Sequence, residues 1–270
     1  EKVYLDIDSL EKDGSPVTGN NAILAGSYKA TVNAVSTGNW QFGENEIEFT
    51  INPFELKGIY LTQNVYIYSG SNPVIEVYAL GANNEKIVIN NKTITKEGSS
   101  ANLTDYKDAG NYVITVASGV LSSNANYKFS NAVTTTFVIN PMNVTVTFTT
   151  TGNNWIWQDG KNTAVTVTAS VPNAVKVSYG NFGAVNTNVT DNGSGTFVIA
   201  ANSMTNLSGK GMVLASTVSG NYQISGQSFQ SFDVVSSSET ATAEFKIDGA
   251  AWTEDGKTMA YDAESGNKIE

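Results

Sequence analysis

Apolar and polar residues alternate along most of this chain with a period of two. Residues 46–51 read EIEFTI and residues 143–149 read NVTVTFT, so every second side chain would lie on one face of a strand. Residues 28–34 and 112–116 follow the same alternation, and no long segment has the period of a helix. The pattern predicts an all-β chain built from short strands with one buried face each.

Several strand patterns recur at large intervals. Residues 24–32 read LAGSYKATV and residues 108–116 read DAGNYVITV, which share Ala-Gly-polar-Tyr. An Asn followed by an aromatic residue leads to a Phe strand three times, at Asn39, Asn126 and Asn221, with the Phe 10, 11 and 11 positions later. The three Phe residues are spaced by 88 and 95 residues, a suitable length for a small β-domain with its own core.

Glycines and prolines indicate where the strands turn and where the modules meet. Four pairs supply the positive φ that hairpin turns need: Asp13-Gly14, Asp159-Gly160, Asn192-Gly193 and Asp255-Gly256. The Gly before each repeated Tyr is interpreted as a sharp strand entry, and the Tyr as a core anchor with its hydroxyl near the rim. Asn52-Pro53 and Asn140-Pro141 predict stiff module junctions, because proline ends a strand ladder.

These signals predict four segments. Residues 1–53 form a partial or N-truncated β-module, and residues 54–141 a complete one. Residues 142–236 form a divergent module, and residues 237–270 begin a further module or form a hairpin tail. Because no apolar run approaches ~20 residues and the terminal residues resemble neither an initiator Met nor a signal peptide, we expect a monomeric segment of a longer chain, without membrane insertion.

The composition removes several kinds of chemistry. The 270 residues include no Cys and no His, which excludes disulfides, thiolate nucleophiles, Cys/His zinc sites and imidazole catalysis. The formal net charge of −10 disfavours nucleic acid and anionic membranes as partners. Short β-modules in series also offer few clefts for a carboxylate pair, so we expect no enzyme and no cofactor.

The motifs, taken in order, resemble the MBG-type repeat modules of large bacterial cell-surface adhesins. The resemblance covers residues 54–141: Tyr68 to Pro73 (YSGSNP) at the start, Ala109-Gly110-Asn111-Tyr112 in the middle, Asn126-Tyr127 at the turn and Phe137 to Pro141 (FVINP) at the end. Residues 1–53 are similar to the second half of such a module, whereas residues 142–236 keep only Gly220-Asn221-Tyr222 and Phe232 to Val235.

This resemblance implies an extracellular stalk or adhesion role on the bacterial surface or cell wall, with a glycan or protein of a host or cell surface as partner. It brings no catalytic residues. Small β-sandwiches of immunoglobulin-like Greek-key type are the predicted architecture. A β-grasp-like arrangement is the alternative, and a single helix crossing one sheet would distinguish it.

Other candidate sites suggest different functions. Trp155 and Trp157 lie two residues apart, hence on one strand face, where they would stack on sugar rings in a carbohydrate-binding module array or pack inward.

Asp6 with Asp8, and Asp105 with Asp108, offer oxygen ligands to Ca²⁺ but lack the spacing of a dedicated loop. Lys-to-Asn isopeptide bonds need a buried Lys, whereas lysines such as Lys29 and Lys176 alternate with apolar residues and are expected to face solvent. A third hypothesis is an outer domain set of a flagellin, a pilin or a phage tail protein.

Overall fold

A computed structural model describes most of the chain. The described residues are 5–20, 22–34, 45–151, 156–158, 164–200, 203–204, 206–235, 246–247 and 250–251. Apart from one 3-10 turn at Thr18–Asn20, every regular element among them is a β-strand. The all-β prediction is confirmed, and the described part of the chain has no helix crossing a sheet, as the β-grasp alternative would require.

The described part of residues 5–51 forms one antiparallel sheet. Its strands are β1 (Leu5–Lys12), β2 (Ser15–Pro16), β3 (Gly26–Ala34) and β4 (Glu46–Ile51), in the order β2-β1-β3-β4. Asp13 and Gly14, which connect β1 to β2, have φ angles of 49° and 79°. Two successive positive φ values are those of a type I′ hairpin, which confirms the turn predicted from Asp-Gly.

Residues 54–140 form three small sheets. The first has the order β10-β11-β14-β7, the second β12-β13-β5 and the third β6-β8-β9. The strands are β5 (Phe54–Glu55), β6 (Tyr60–Leu61), β7 (Val65–Ile67), β8 (Val77–Leu80), β9 (Lys86–Val88), β10 (Thr93–Lys96), β11 (Gly110–Val116), β12 (Gly119–Leu121), β13 (Asn124–Phe129) and β14 (Val133–Asn140). Early strands close the module by pairing parallel to late ones, β7 with β14 and β5 with β13.

Residues 142–235 form an immunoglobulin-like β-sandwich. The strands are β15 (Met142–Thr150), β16 (Ile156–Gln158), β17 (Val165–Ala169), β18 (Val175–Asn181), β19 (Ala184–Val189), β20 (Thr196–Ile199), β21 (Lys210–Thr217), β22 (Tyr222–Ser225) and β23 (Phe229–Val235). One sheet has the order β20-β17-β15-β22 and the other β16-β23-β21-β18-β19. Because β17 and β18 lie in different sheets, as do β20 and β21, the connections are those of a Greek key. The segment whose sequence departs most from the repeat therefore has the most complete sandwich.

The last described strands are β24 (Lys246–Ile247) and β25 (Ala250–Ala251), which pair antiparallel as a two-stranded ribbon. Each sheet among the described residues takes all of its strands from one predicted segment. The strand pairing thus establishes tandem immunoglobulin-like β-modules as the fold class, while the exact segment boundaries stay predictions.

Each of the first two segments has its own core. In residues 5–51 the buried cluster consists of Leu10, Tyr28, Ala30 and Val32. In residues 54–140 a larger cluster is centred on Tyr112, Ile114, Phe129, Phe137 and Ile139. The inward residues of the third segment are buried on alternate strand positions, for example Val165, Val167 and Ala169. Burial at every second position is the sheet periodicity that the sequence predicts.

One predicted face is less buried than its alternation suggests. Ile47 and Phe49 on β4 keep 45% and 37% of their surface exposed. β4 is the edge strand of this sheet, whereas Tyr28 and Ala30, which pair with Phe49 and Ile47 from the inner strand β3, are buried. Alternation identified the face correctly but not the depth of burial.

The described chain divides into two compact units. One consists of residues 1–143 together with 219–223, and the other of residues 144–218 together with 224–270. The short segment 219–223 therefore belongs with the unit that contains the first two modules, although its neighbours along the chain belong to the third module.

Candidate functional site

The repeated Ala-Gly-polar-Tyr sequence forms a tyrosine corner in each of the first two modules. Tyr28 and Tyr112 are the third residues of β3 and β11 and are 3% and 2% exposed. The Tyr28 hydroxyl donates to the Leu24 carbonyl at 2.6 Å, and the Tyr112 hydroxyl donates to the Asp108 carbonyl at 2.7 Å. A Tyr near the start of such a strand, bonded to the backbone just upstream, is a hallmark of immunoglobulin-type sandwiches. The predicted core anchor with its hydroxyl at the rim is confirmed.

The glycine of each corner is required by its backbone conformation. Gly26 and Gly110 have φ angles of 153° and 152°, which side chains other than glycine rarely adopt. A Cβ on Gly26 would lie 2.6 Å from Cε of Lys12, and one on Gly110 would lie 3.0 Å from Cε of Lys96. The two lysines pair with the corner tyrosines in the sheet, Lys12 with Tyr28 and Lys96 with Tyr112. The same local design is thus present twice.

Each corner tyrosine also stacks on the Phe of the last strand. Tyr28 and Phe49 have ring centroids 5.2 Å apart, and Tyr112 and Phe137 have theirs 5.0 Å apart. In the third module Gly211 pairs with Phe232, at the register position that the corner tyrosine occupies in the others. A Cβ on Gly211 would lie 2.3 Å from the Phe232 ring. The ring of Phe232 therefore fills the space above a glycine instead of stacking on a tyrosine.

The corner hydroxyls are structural donors. Burial raises the pKa of Tyr112, and the negative charges of Asp108 and Asp105 act in the same direction. The phenol therefore stays protonated at neutral pH and keeps its bond to the Asp108 carbonyl. Because the hydroxyl is consumed by this bond and the ring by the stack with Phe137, the residue is not arranged to act as a proton donor to a substrate.

The Asn-aromatic pairs bring distant segments together. The Asn126 side-chain oxygen accepts from the main-chain N–H of Ala25 at 2.8 Å, across 101 positions of sequence. The Asn221 side-chain oxygen accepts from the N–H of Ala109 at 2.7 Å, across 112 positions. All four residues lie in the unit formed by residues 1–143 and 219–223. Sequence reasoning missed these contacts, although the threefold recurrence of the Asn-aromatic pair was the available signal.

The predicted sugar-binding tryptophans lie largely outside the described residues. Trp157 belongs to β16, where it pairs with Val234 of β23. Nothing is described of its side chain or of Trp155. Whether the two indoles share an exposed face therefore stays a prediction.

Two of the four candidate calcium ligands have other partners. Asp105 forms an ion pair with Lys107 at 2.9 Å, and this pair lowers the pKa of Asp105. The Asp108 carboxylate accepts from the Asn221 side-chain amide at 2.8 Å. Asp6 and Asp8 are exposed on β1. Within the described residues no group of three or more acidic side chains is placed to hold a metal ion.

Lysines also follow the predicted pattern. Lys29 is partly exposed and forms an ion pair with Glu46 at 2.8 Å, and Lys176 is exposed. In the described ranges no charged side chain is buried. One carboxylate oxygen, Oδ2 of the half-buried Asp191, is nevertheless enclosed without a hydrogen-bond partner.

Two surface grooves lie beside the Tyr–Phe stacks. One of about 260 Å³ includes Tyr112 and Phe137, and one of about 370 Å³ includes Tyr28 and Phe49. The first volume is below and the second at the lower end of the range for pockets that enclose small molecules, ~300–1,000 Å³. The first groove has mainly neutral lining, whereas Glu11, Asp13, Glu48 and Lys29 line the second. Both grooves share a Tyr–Phe pair and a glutamate, but the second carries more charged side chains.

Comparison with known proteins adds little to this description. No protein-family model matches the chain, and no curated protein matches it either. Among solved structures the chain is similar to the immunoglobulin domains 1–5 of Sidekick-1, at 11% sequence identity and a TM-score of 0.28. The match covers 86% of this chain and 51% of that structure, so the chain spans about half its length. The fold assignment rests on the strand pairing described above.

Proposed function

We propose that this chain is a non-catalytic structural and adhesive segment of a bacterial surface protein, in which tandem β-modules form a stalk. The observation that carries the proposal is the repetition of one complete corner, with the same glycine, hydroxyl bond and aromatic stack, in two successive modules. An array of repeated structural units suits a role in which distance and stiffness matter more than a reaction.

Short linkers support the mechanical part of this proposal. Only Asn52 and Pro53 separate β4 from β5, and only Pro141 separates β14 from β15. A linker of one or two residues that contains proline leaves little conformational freedom between the strands it joins. Such connections favour force transmission from one module to the next.

The charge supports an extracellular surface role. The chain carries 25 acidic and 15 basic residues. Its described ion pairs are solvent-exposed, as in the pair of Lys210 with Asp233. A net negative surface keeps a displayed segment soluble and limits nonspecific binding to nucleic acid or anionic lipid. Among the described residues there is no helix long and apolar enough to cross a membrane.

Surface labelling tests the location. Antibodies raised against residues 54–141 are expected to label intact bacteria that carry the parent protein, and brief protease treatment of those cells is expected to remove the label. Labelling that appears only after the cells are permeabilised would contradict the proposal. An intracellular protein of the same bacteria serves as the control for cell integrity.

The alternatives have distinct tests. Glycan-array binding that is lost in Trp157→Ala but kept in Trp252→Ala would establish the carbohydrate-binding array instead. A parent protein whose flanking segments polymerise into filaments or phage tails would establish the displayed-domain hypothesis. Neither alternative has a supporting observation among the described side chains.

A further inference from the structure

The main-chain N–H of the corner alanine meets an asparagine in both of the first two modules. Ala25 and Ala109 hold equivalent positions, three residues before Tyr28 and Tyr112. In each case the acceptor is the side-chain oxygen of an asparagine in the following predicted module, at 2.8 and 2.7 Å. The two bonds join equivalent atoms, an alanine N–H and an asparagine side-chain oxygen, at sequence separations of 101 and 112. They therefore indicate a repeated feature of the module sequence.

The accepting asparagine is held by the same turn in both places. The N–H of Asn126 donates to the Asn124 side-chain oxygen, and the N–H of Asn221 donates to the Ser219 hydroxyl. Both bonds reach back two residues, at 3.1 and 3.3 Å, and are Asx- or ST-type local contacts. The turn therefore fixes the asparagine before it meets the corner, which lowers the entropy cost of the contact.

The aromatic residue after each asparagine packs beside the same junction. Tyr127 contacts Phe54, the residue that follows Pro53, with ring centroids 6.2 Å apart. Tyr222 contacts Tyr68 with ring centroids 5.4 Å apart. The strand that carries the pair also bonds the strand after the proline, since Met142 N–H donates to the Asn221 carbonyl at 2.9 Å. The asparagine and the aromatic residue that follows it therefore both make contacts close to the same module junction.

The third module satisfies its own corner. Ser208 lies three residues before Gly211, the position equivalent to Tyr28 and Tyr112 in the strand register. Its N–H donates to the Asn181 side-chain oxygen at 3.0 Å, and Asn181 belongs to β18 of the same module. The main-chain N–H three residues before the corner position therefore donates to an asparagine side chain in all three modules. In the first two modules the asparagine belongs to the following predicted module, and in the third it belongs to the same module.

We propose that the Ala-Gly-x-Tyr corner is a recognition surface for the Asn-aromatic turn of the module that follows it, and that Asn181 closes this surface in the third module. The partner is a side-chain amide presented on a preformed turn with an aromatic residue next to it. This inference deepens the proposed stalk function and rests on it for its biological purpose. It assigns to Asn126 and Asn221 the role of coupling residues between consecutive modules.

Amide hydrogen exchange in the full chain tests the coupling directly. In Asn126→Ala, we expect the Ala25 amide to exchange about tenfold faster, which corresponds to the loss of one hydrogen bond. Asn126→Asp keeps an oxygen acceptor and is expected to retain the protection. Unchanged Ala25 exchange in Asn126→Ala would overturn the proposal.

The second junction offers a charge test. Asn221 also donates its side-chain amide to the Asp108 carboxylate at 2.8 Å. Asn221→Asp places two carboxylates together and is expected to expose the Ala109 amide, whereas the double variant Asn221→Asp with Asp108→Asn is expected to restore protection. Failure of the double variant to restore it, with the chain still folded, would contradict the assigned role.

Asn72 provides a matched control within one module. Its side chain accepts from Tyr106 N–H and donates to the Thr104 carbonyl, at 2.8 and 3.0 Å. Asn72→Ala is expected to destabilise residues 54–141 without a selective change at Ala25. If surface labelling fails but Asn126→Ala speeds up exchange of the Ala25 amide, the stalk proposal is rejected and the coupling is kept. If surface labelling succeeds but Ala25 exchange is unchanged, only the coupling is rejected.

Discussion

Single residues explain why the same four-residue motif, Ala-Gly-polar-Tyr, recurs in this chain. The corner requires glycine for its φ angle, tyrosine for both a buried ring and a rim hydroxyl, and an upstream carbonyl to accept the bond. Phenylalanine would keep the ring but leave the carbonyl without its protein donor. The sequence motif is therefore the minimum set of residue types that builds this contact.

Tyr112→Phe tests the hydroxyl. Loss of its bond to the Asp108 carbonyl is expected to lower the free energy of unfolding of residues 54–141 by about 1 kcal/mol. Denaturant unfolding monitored by fluorescence or NMR measures the change. Tyr60→Phe, at a residue with 47% exposure, is the control and is expected to have almost no effect. Equal losses in the two variants would contradict the corner assignment.

The two last-strand phenylalanines are expected to differ in importance. Phe137 is 3% exposed and contacts the rings of Tyr112, Tyr66 and Tyr106. Phe49 is 37% exposed and stacks on Tyr28. We expect Phe137→Ala to cost ~3–5 kcal/mol in module stability and Phe49→Ala clearly less, because cavity costs scale with burial. Comparable losses in thermal unfolding would show that exposure is not the deciding factor.

Glu85 makes the second module sensitive to acid. Its carboxylate accepts a hydrogen bond from the Tyr127 hydroxyl and another from the Asn83 N–H, and these bonds lower the pKa of Glu85, with that from Tyr127 the larger cause. Since the folded pKa is lowered, the stabilisation is complete above the ordinary glutamate value of ~4.3 and is lost as pH falls through the folded pKa.

We therefore expect the wild-type melting temperature to fall more between pH 6 and pH 3 than that of Glu85→Gln. The glutamine keeps an oxygen for Tyr127 but cannot be protonated in this range. Thermal unfolding followed by circular dichroism at each pH measures the difference. Identical pH profiles would show that this carboxylate does not contribute.

At the scale of elements, the third module packs a phenylalanine over a glycine where the first two modules stack a phenylalanine on a tyrosine. Phe232 of β23 lies over Gly211 of β21, where the other modules stack Phe on Tyr. Gly211→Ala is expected to displace the ring and cost ~1–3 kcal/mol, as overpacked cores do. Gly220→Ala is the control, since a Cβ there would meet no atom within 4 Å. A neutral result for Gly211→Ala in urea unfolding would contradict this packing.

The sequence could predict those elements that local chemistry determines. The Asp13-Gly14 hairpin, the buried tyrosines and the ends of β4 and β14 near prolines depend on residues adjacent in the chain. The pairing of Phe232 with Gly211 could not be predicted, because glycine has no side chain to reveal a core position and only strand register brings the two together. Asn126 and Asn221 were recognised as a recurring pattern, but their acceptor role depends on partners more than 100 positions away.

At the scale of the whole molecule, the described chain is a series of β-modules, of which the first two have separate buried clusters. Sheets in the described residues do not share strands between the predicted segments, and the buried clusters of residues 5–51 and 54–140 are distinct. Separate cores allow one module to unfold while its neighbour stays folded, which would protect the proposed stalk under load.

Stretching the full chain between its ends in single-molecule force spectroscopy tests this central claim most directly. Separate cores predict at least two distinct unfolding steps, each releasing roughly 30 nm of chain, the extended length of a module of this size. A single step that releases the whole chain at once, roughly 90 nm, would show one continuous core and contradict the account.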